Sequence, residues 1–164
     1  MALSLDDVDV KLLAELEQDA SRSNVELARL AGLSPAATLN RVRRLKESGA
    51  IRKIAARLDS AAVGFPLQVY VTLTLARQDE VGHKRFVETV MQMPQVIAAD
   101  WVTGEVDAVL MIVARDVAEL QAVLTRLNLR GGAQRLITLL RLEELKPASP
   151  LPLRPTSVQR ARGR

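Results

Sequence analysis

Asn40, Arg41, Arg43 and Arg44 carry the most specific chemistry in the chain. An asparagine amide can pair with two edge atoms of adenine, and a guanidinium suits a phosphate or a guanine. All four lie on a predicted helix. Ser34 caps it, and Pro35 takes the first position, where a missing N–H costs nothing. The helix is expected to run to about Ser48, with Gly49 ending it. At about 100° per residue, Leu39, Val42 and Leu45 form the stripe expected to be buried. Ala37, Asn40 and Arg44 fall opposite, and Arg41 and Arg43 flank the stripe. The N-terminal part of such a helix enters a DNA major groove deepest, so Ala37 and Asn40 are expected nearest the base edges. Arg41, Arg43 and Arg44 are expected on phosphates, with guanine as a second option for Arg44. The competing reading is a solvated basic helix in an ordinary small domain.

The elements that would position this helix are legible just upstream. Ser23 and Glu26 have capping-box spacing. The helix they open carries Val25, Leu27, Ala28, Leu30 and Ala31, and Gly32 supplies a left-handed end. Only Gly32 and Leu33 separate the two helices, which forces the sharp angle of a helix-turn-helix. Residues 51–58 read as a hairpin wing or a linking strand. A first helix, starting near Asp6 with acids in its first turn, would pack Val8, Leu12, Leu13 and Leu16 on the pair. Charge is segregated: residues 22–57 hold nine Lys/Arg and two acids, net +7, while residues 1–19 hold six acids and one lysine, net −5. That basic patch is the electrostatic footprint of nucleic-acid binding. The candidate DNA-contacting set is Arg22, Ser34, Ala37, Thr38, Asn40, Arg41, Arg43, Arg44 and Lys53.

Composition narrows the partner. The chain has one Trp, one Tyr and two Phe in 164 residues. Single-strand and RNA binders stack bases on aromatic platforms, so the scarcity favours double-stranded DNA. The absence of cysteine excludes disulfides and thiol chemistry. No apolar run reaches the ~18 residues of a membrane span, and the acidic N-terminus does not read as a signal peptide. No membrane partner and a cytoplasmic location are therefore expected. No Ser/His/Asp set, metal-ligand cluster or phosphate loop is present, so no catalytic residue, metal or cofactor is expected.

Gly64 and Pro66 mark a break, after which the pattern changes. Residues 67–76, 96–102, 106–114 and 134–145 read as strands, and 81–93 and 116–127 as helices. The order is βαββαβ, a ferredoxin-like arrangement. Its helices cover one face of the sheet, and a second subunit would cover the other, unless that face is polar enough for a monomer. Residues 147–164 carry four prolines, four arginines and no acid, and read as a disordered tail. The tail is either a solubilising end or an added attraction for phosphates. The fold class expected is α+β: a winged helix-turn-helix (residues 1–60), a ferredoxin-like domain (61–146) and a basic tail (147–164).

This arrangement resembles the Lrp/AsnC family of bacterial and archaeal regulators. The matching residues run in order: Leu5, Asp6, Asp9, Leu12 and Leu13; Arg22 to Asn24 and Glu26 to Ala28; Leu33 and Ser34; Arg41 to Leu45; Glu47 to Ile51; Leu58, Asp59 and Gly64; Pro94 to Val96; and Val102 to Gly104 with Asp107. The resemblance spans roughly residues 5–146. It implies a homodimer assembling to an octamer, with ligand binding and oligomerisation in the second domain. It also implies an effector, usually an amino acid, near a loop that here holds Val102, Thr103, Gly104, Glu105 and Asp107. Asp107 could meet an ammonium and the Gly104 turn a carboxylate. The competing reading makes Gly104 a hairpin glycine and Asp107 a turn residue. Two departures stand out. The family often has Tyr where this chain has Ala108, which implies a bulkier ligand or none. It often has Tyr in the wing where this chain has Ile54.

The function expected is a sequence-specific transcriptional regulator of amino-acid-related genes, modulated by an amino acid or similar metabolite. Two other functions compete. One is an architectural DNA-binding protein of low specificity. The other is a siroheme-decarboxylase-like enzyme, but the single histidine, His83, reads as a solvated surface residue.

Overall fold

The computed structural model describes residues 3–77 and 79–156. It divides into two compact units, one of Met1–Ala56 with Lys146–Arg164 and one of Arg57–Leu145.

The first unit is three helices: α1 (Asp7–Gln18), α2 (Asn24–Ala31) and α3 (Pro35–Glu47). Their ends are set by local chemistry. Asp6 and Asp9 form a reciprocal capping box on α1, and Ser23 and Glu26 form another on α2. Gly32 turns the chain out of α2 at φ +70°, and the Ser34 hydroxyl accepts from Ala37 N–H to open α3. Leu12, Leu27 and Val42 meet in the core, with Val8, Leu16 and Ala31 around them. The buried stripe of α3 is Thr38, Val42 and Leu45. Leu39, expected inside, is 43% exposed. Thr38 can take the inner position because its hydroxyl donates to Ser34 O at 3.1 Å.

The second unit is β1 (Leu67–Leu75), α4 (Glu80–Met91), β2 (Val96–Trp101), β3 (Ala108–Ala114), α5 (Val117–Leu129) and β4 (Ala133–Leu140). The sheet order is β2-β3-β1-β4, and every neighbouring pair is antiparallel. This is the split βαββαβ arrangement read from the sequence. Alternation along β1 sends Val69, Val71, Leu73 and Leu75 inward. They join Leu110 and Ile112 of β3, Phe86 of α4 and Leu127 of α5 in one core. The opposite face of the sheet carries Tyr70, Thr72, Val109, Met111, Ile137 and Leu139 at adjoining register positions.

Three expectations need correction. No strand forms between residues 51 and 58, so the hairpin wing is absent among the described residues. The segment IRKIAARL lacks a Gly, Pro, Asn or Asp on which to fold back. The last strand stops at Leu140 rather than 145. Leu140 pairs with Val69, and β1 begins two residues earlier, so the ladder runs out of partner. Residues 147–156 are not a free end. Leu151 N–H donates to the Glu17 carboxylate, and Leu5 and Thr156 are joined by hydrogen bonds in both directions. The remaining tail, 157–164, lies outside the described residues.

Candidate functional site

The basic face of the first unit is built on α3, and α1 determines which of its arginines are available. Asp9 is 1% exposed. Its carboxylate accepts from Arg41 Nη1 at 2.8 Å and also from Arg44 Nη2. Arg41 Nη1 also reaches Asp6 at 2.7 Å. The acids stand three residues apart at the start of α1, and the arginines stand three apart on α3, so one helical step matches the other. The Asp9 backbone N–H, and then the Arg41 guanidinium, hold the Asp6 carboxyl below its usual range. Asp6 first, then Asp9, pushes Arg41 further up. A buried carboxylate must be paired, and this one is paired twice.

This bears on the candidate DNA-contacting set. Arg41 and Arg44 are committed to α1, so they are fasteners of the recognition helix before they are phosphate grips. Thr38 is fully buried, which corrects its place in the set. Arg22 pairs with Glu15. Ser34 is exposed but engaged in the cap. Ala37 is half-buried, while Asn40 and Arg43 are exposed. Arg43 makes no ion pair among the described residues. Lys53 is exposed on the segment after α3. Asn40 and Arg43, three residues apart, present an amide and an uncommitted guanidinium on one face of α3. Sequence reasoning treated the acids of α1 as helix-dipole partners and missed the Asp6–Asp9 clasp. The matching three-residue spacings were the available signal.

The loop between β2 and β3 forms the second candidate site. Val102 N–H donates to Asp107 O at 3.0 Å and closes the hairpin. Gly104 sits at φ +129°, a conformation that favours glycine. Thr103, Gly104 and Glu105 are exposed, as is Val102, while Asp107 is half-buried. Asp107 ties the hairpin to β1: its N–H donates to Leu73 O at 2.9 Å, and its carboxylate accepts from Leu75 N–H at 2.7 Å. Its first task is therefore structural, and a ligand ammonium would share a carboxylate already in use.

A groove of about 120 Å³ opens beside this loop, lined by Phe86, Val90, Met91, Ala99, Trp101 and Ala108. Ala108 forms part of its floor and is 1% exposed. Trp101, the residue before Val102, stacks on the ring of His83 at 4.7 Å and tilts against Phe86 at 5.2 Å. His83 is exposed, as expected, and its ring also packs on that indole.

Comparison with known proteins bears on both sites. The AsnC-type helix-turn-helix domain matches residues 5–46, and the Lrp/AsnC ligand binding domain matches residues 68–151. The leucine-responsive regulatory protein of Rhizobium meliloti is 35% identical over 147 residues, covering 89% of this chain and 94% of its own. The Bkd operon transcriptional regulator of Pseudomonas aeruginosa is 39% identical over 121 residues, covering 74% of this chain and 79% of its own. A crystal structure of a Neisseria meningitidis transcriptional regulator in complex with L-methionine superposes with a TM-score of 0.84 at 30% identity. It covers 91% of this chain and 97% of that one.

Proposed function

The chain belongs to the Lrp/AsnC family of DNA-binding transcriptional regulators, and from that premise we propose that α3 reads duplex DNA through Asn40 and Arg43 while the 102–107 loop answers to an amino acid. The observation that carries the DNA assignment is the division of labour among the arginines. Asp9 and Asp6 hold Arg41 and Arg44, which fixes the angle of α3, and Arg43 is left for phosphate beside Asn40. Ala37 and Ser34 at the helix start lie close to the bases, Lys53 adds charge downstream, and Arg22 contributes only field.

The effector reading rests on the loop and on its neighbouring groove. Small-molecule sites begin at about 300 Å³, well above the groove of this single chain. The groove lies on the helix-covered side of the sheet, so a protomer of a neighbouring dimer completes the site. The exposed face bearing Tyr70, Met111, Ile137 and Leu139 is the surface on which two copies pair, and dimers assemble further, to an octamer in the fullest case. Relatives whose names refer to leucine or whose structure holds L-methionine favour an amino acid with an apolar side chain. Ala108 leaves room for it in the groove. Ligand modulates DNA binding by favouring one assembly over another. Among the described residues no helix is long and apolar enough to cross a membrane. With duplex DNA as partner, the reading places the protein in the cytoplasm, acting without catalysis.

A thermal-shift panel of the twenty amino acids tests the effector. A ligand at a hundredfold excess over its Kd stabilises the folded state by about 2.7 kcal/mol. A rise in Tm with an apolar amino acid, lost in Asp107→Asn, supports the assignment. A flat panel contradicts it.

A further inference from the structure

The chain holds one Trp, one Tyr, two Phe and one His, yet three of these five rings meet beside the 102–107 loop. His83 and Phe86 come from α4, and Trp101 is the last residue of β2. The indole stacks on the His83 imidazole at 4.7 Å and 29°, and it tilts against Phe86 at 5.2 Å and 50°. Both contacts lie in the range at which rings attract each other. They hold the Trp101 side chain in place although it is 46% exposed. Met91, 80% exposed, and Val87 line the same groove. Exposed apolar side chains gathered around one groove mark a binding surface.

The groove has a small floor and large walls. Ala99 and Trp101 stand two residues apart on β2 and share the face turned to α4, since their register partners, Leu110 and Ala108, are both core residues. Ala99 and Ala108 form the floor, and Phe86, Val90, Met91 and Trp101 stand around it. His83 is not part of this lining, so it backs the indole while the groove meets another part of the ring. The groove measures about 120 Å³. An apolar cavity of about 150 Å³ takes up benzene, so the space matches one such ring. The amino and carboxylate groups of a ligand stay outside it, towards the loop. Trp101 precedes Val102, whose N–H closes that loop on Asp107 O.

We propose that the effector is an aromatic amino acid, its ring seated over Ala99 and Ala108 against the Trp101 indole, with His83 as the positioning residue that holds the indole. The inference rests on the 102–107 loop being the effector site, and it goes further than apolar character. A leucine side chain gains burial alone. A benzene ring gains burial and the attraction of Trp101 and Phe86, worth about a two- to twelvefold difference in affinity per ring pair. The indole is already fixed by its neighbours, so little side-chain freedom is lost when the ligand arrives.

The test is calorimetric titration of the full chain with L-phenylalanine, L-leucine and L-cyclohexylalanine, the last carrying a saturated ring. Phenylalanine should bind more tightly than either, and it should change the emission of Trp101, the one indole in the chain. Trp101→Leu should bring the phenylalanine-to-leucine ratio towards one. His83→Ala should lower that ratio, and His83→Phe should restore it. Trp101 and His83 are both exposed, and thermal unfolding confirms that the variants fold. The comparison of ligands on the parent chain needs no variant. Leucine or cyclohexylalanine binding as tightly as phenylalanine overturns the inference, and so does phenylalanine binding with no change in Trp101 emission. A ratio indifferent to Trp101→Leu removes the ring seat, and one indifferent to His83→Ala removes the positioning role. If no amino acid binds at all, the effector reading of the loop fails first; if leucine binds and phenylalanine does not, only this inference fails.

Discussion

Asp9 shows how much one residue can settle. It is buried, acidic and on the first helix, yet it decides which arginines of the third helix are free. Asp9→Ala leaves Arg44 without its carboxylate and Arg41 with Asp6 alone. Breaking a fully buried pair costs about 3–5 kcal/mol. Both arginines are partly exposed and can turn to water, so a loss of about 2 kcal/mol is expected. Denaturant unfolding of the variant measures it, and wild-type stability would contradict the clasp. Arg43→Ala should do the opposite, weakening DNA binding with unfolding unchanged. Asn40→Ala should cost about 1–3 kcal/mol of discrimination at one base position, read by comparing duplexes that differ there.

Glu119 gives a pH prediction at the same scale. The Arg115 guanidinium first, then the Arg115 backbone N–H and the Gln95 amide, hold its carboxyl down at about 2. A depressed carboxylate stabilises the fold above its ordinary value of 4.5. That contribution fades as the pH falls from 4.5 towards 2, and Asp6 acts in the same direction below 3.8. Stability of Glu119→Gln should therefore fall less steeply across this window than that of the parent. An identical acid profile would contradict the assignment.

At the scale of elements, the sequence was most legible where backbone chemistry is local. The Ser23–Glu26 box, the Gly32 turn and the Ser34 cap need only a few neighbouring residues, and each was readable. Burial was harder to read. The choice between Leu39 and Thr38 as the inner residue of α3 depends on where α1 and α2 press, which no periodicity reports. The wing failed for a different reason: no turn residue within 51–58 lets the segment pair with itself. Gly32→Ala tests the turn. Nothing lies within 4 Å of a Cβ built there, so the cost is purely that of left-handed backbone, about 1–2 kcal/mol. Thermal unfolding of the first unit should reveal it.

For the whole molecule, the order of elements was readable because βαββαβ follows from alternation and turn residues alone. The candidate sites were readable only in part. The loop at Gly104 was reached through family resemblance, and its hydrogen bonds show Asp107 already stapling β1 to the hairpin. The docking of the tail on α1 was invisible, because a proline-rich basic end looks the same whether it packs or not. Assembly is the property at this scale, and it has a direct test. Leu139→Asp places a charge on the exposed apolar face of the sheet and should shift sedimentation from dimer or larger towards monomer. An unchanged assembly would move the interface elsewhere.

The central claim is that α3 reads a sequence in duplex DNA through the face left free by the α1 clasp. The most direct measurement is the affinity ratio between an enriched and a mixed-sequence duplex at one salt concentration, for the parent chain and for Asn40→Ala. The account predicts a parent ratio of at least about a thousand, falling in the variant while its unfolding curve stays put. A ratio near one in the parent, or one indifferent to Asn40, would contradict it and leave an architectural DNA-binding protein in its place.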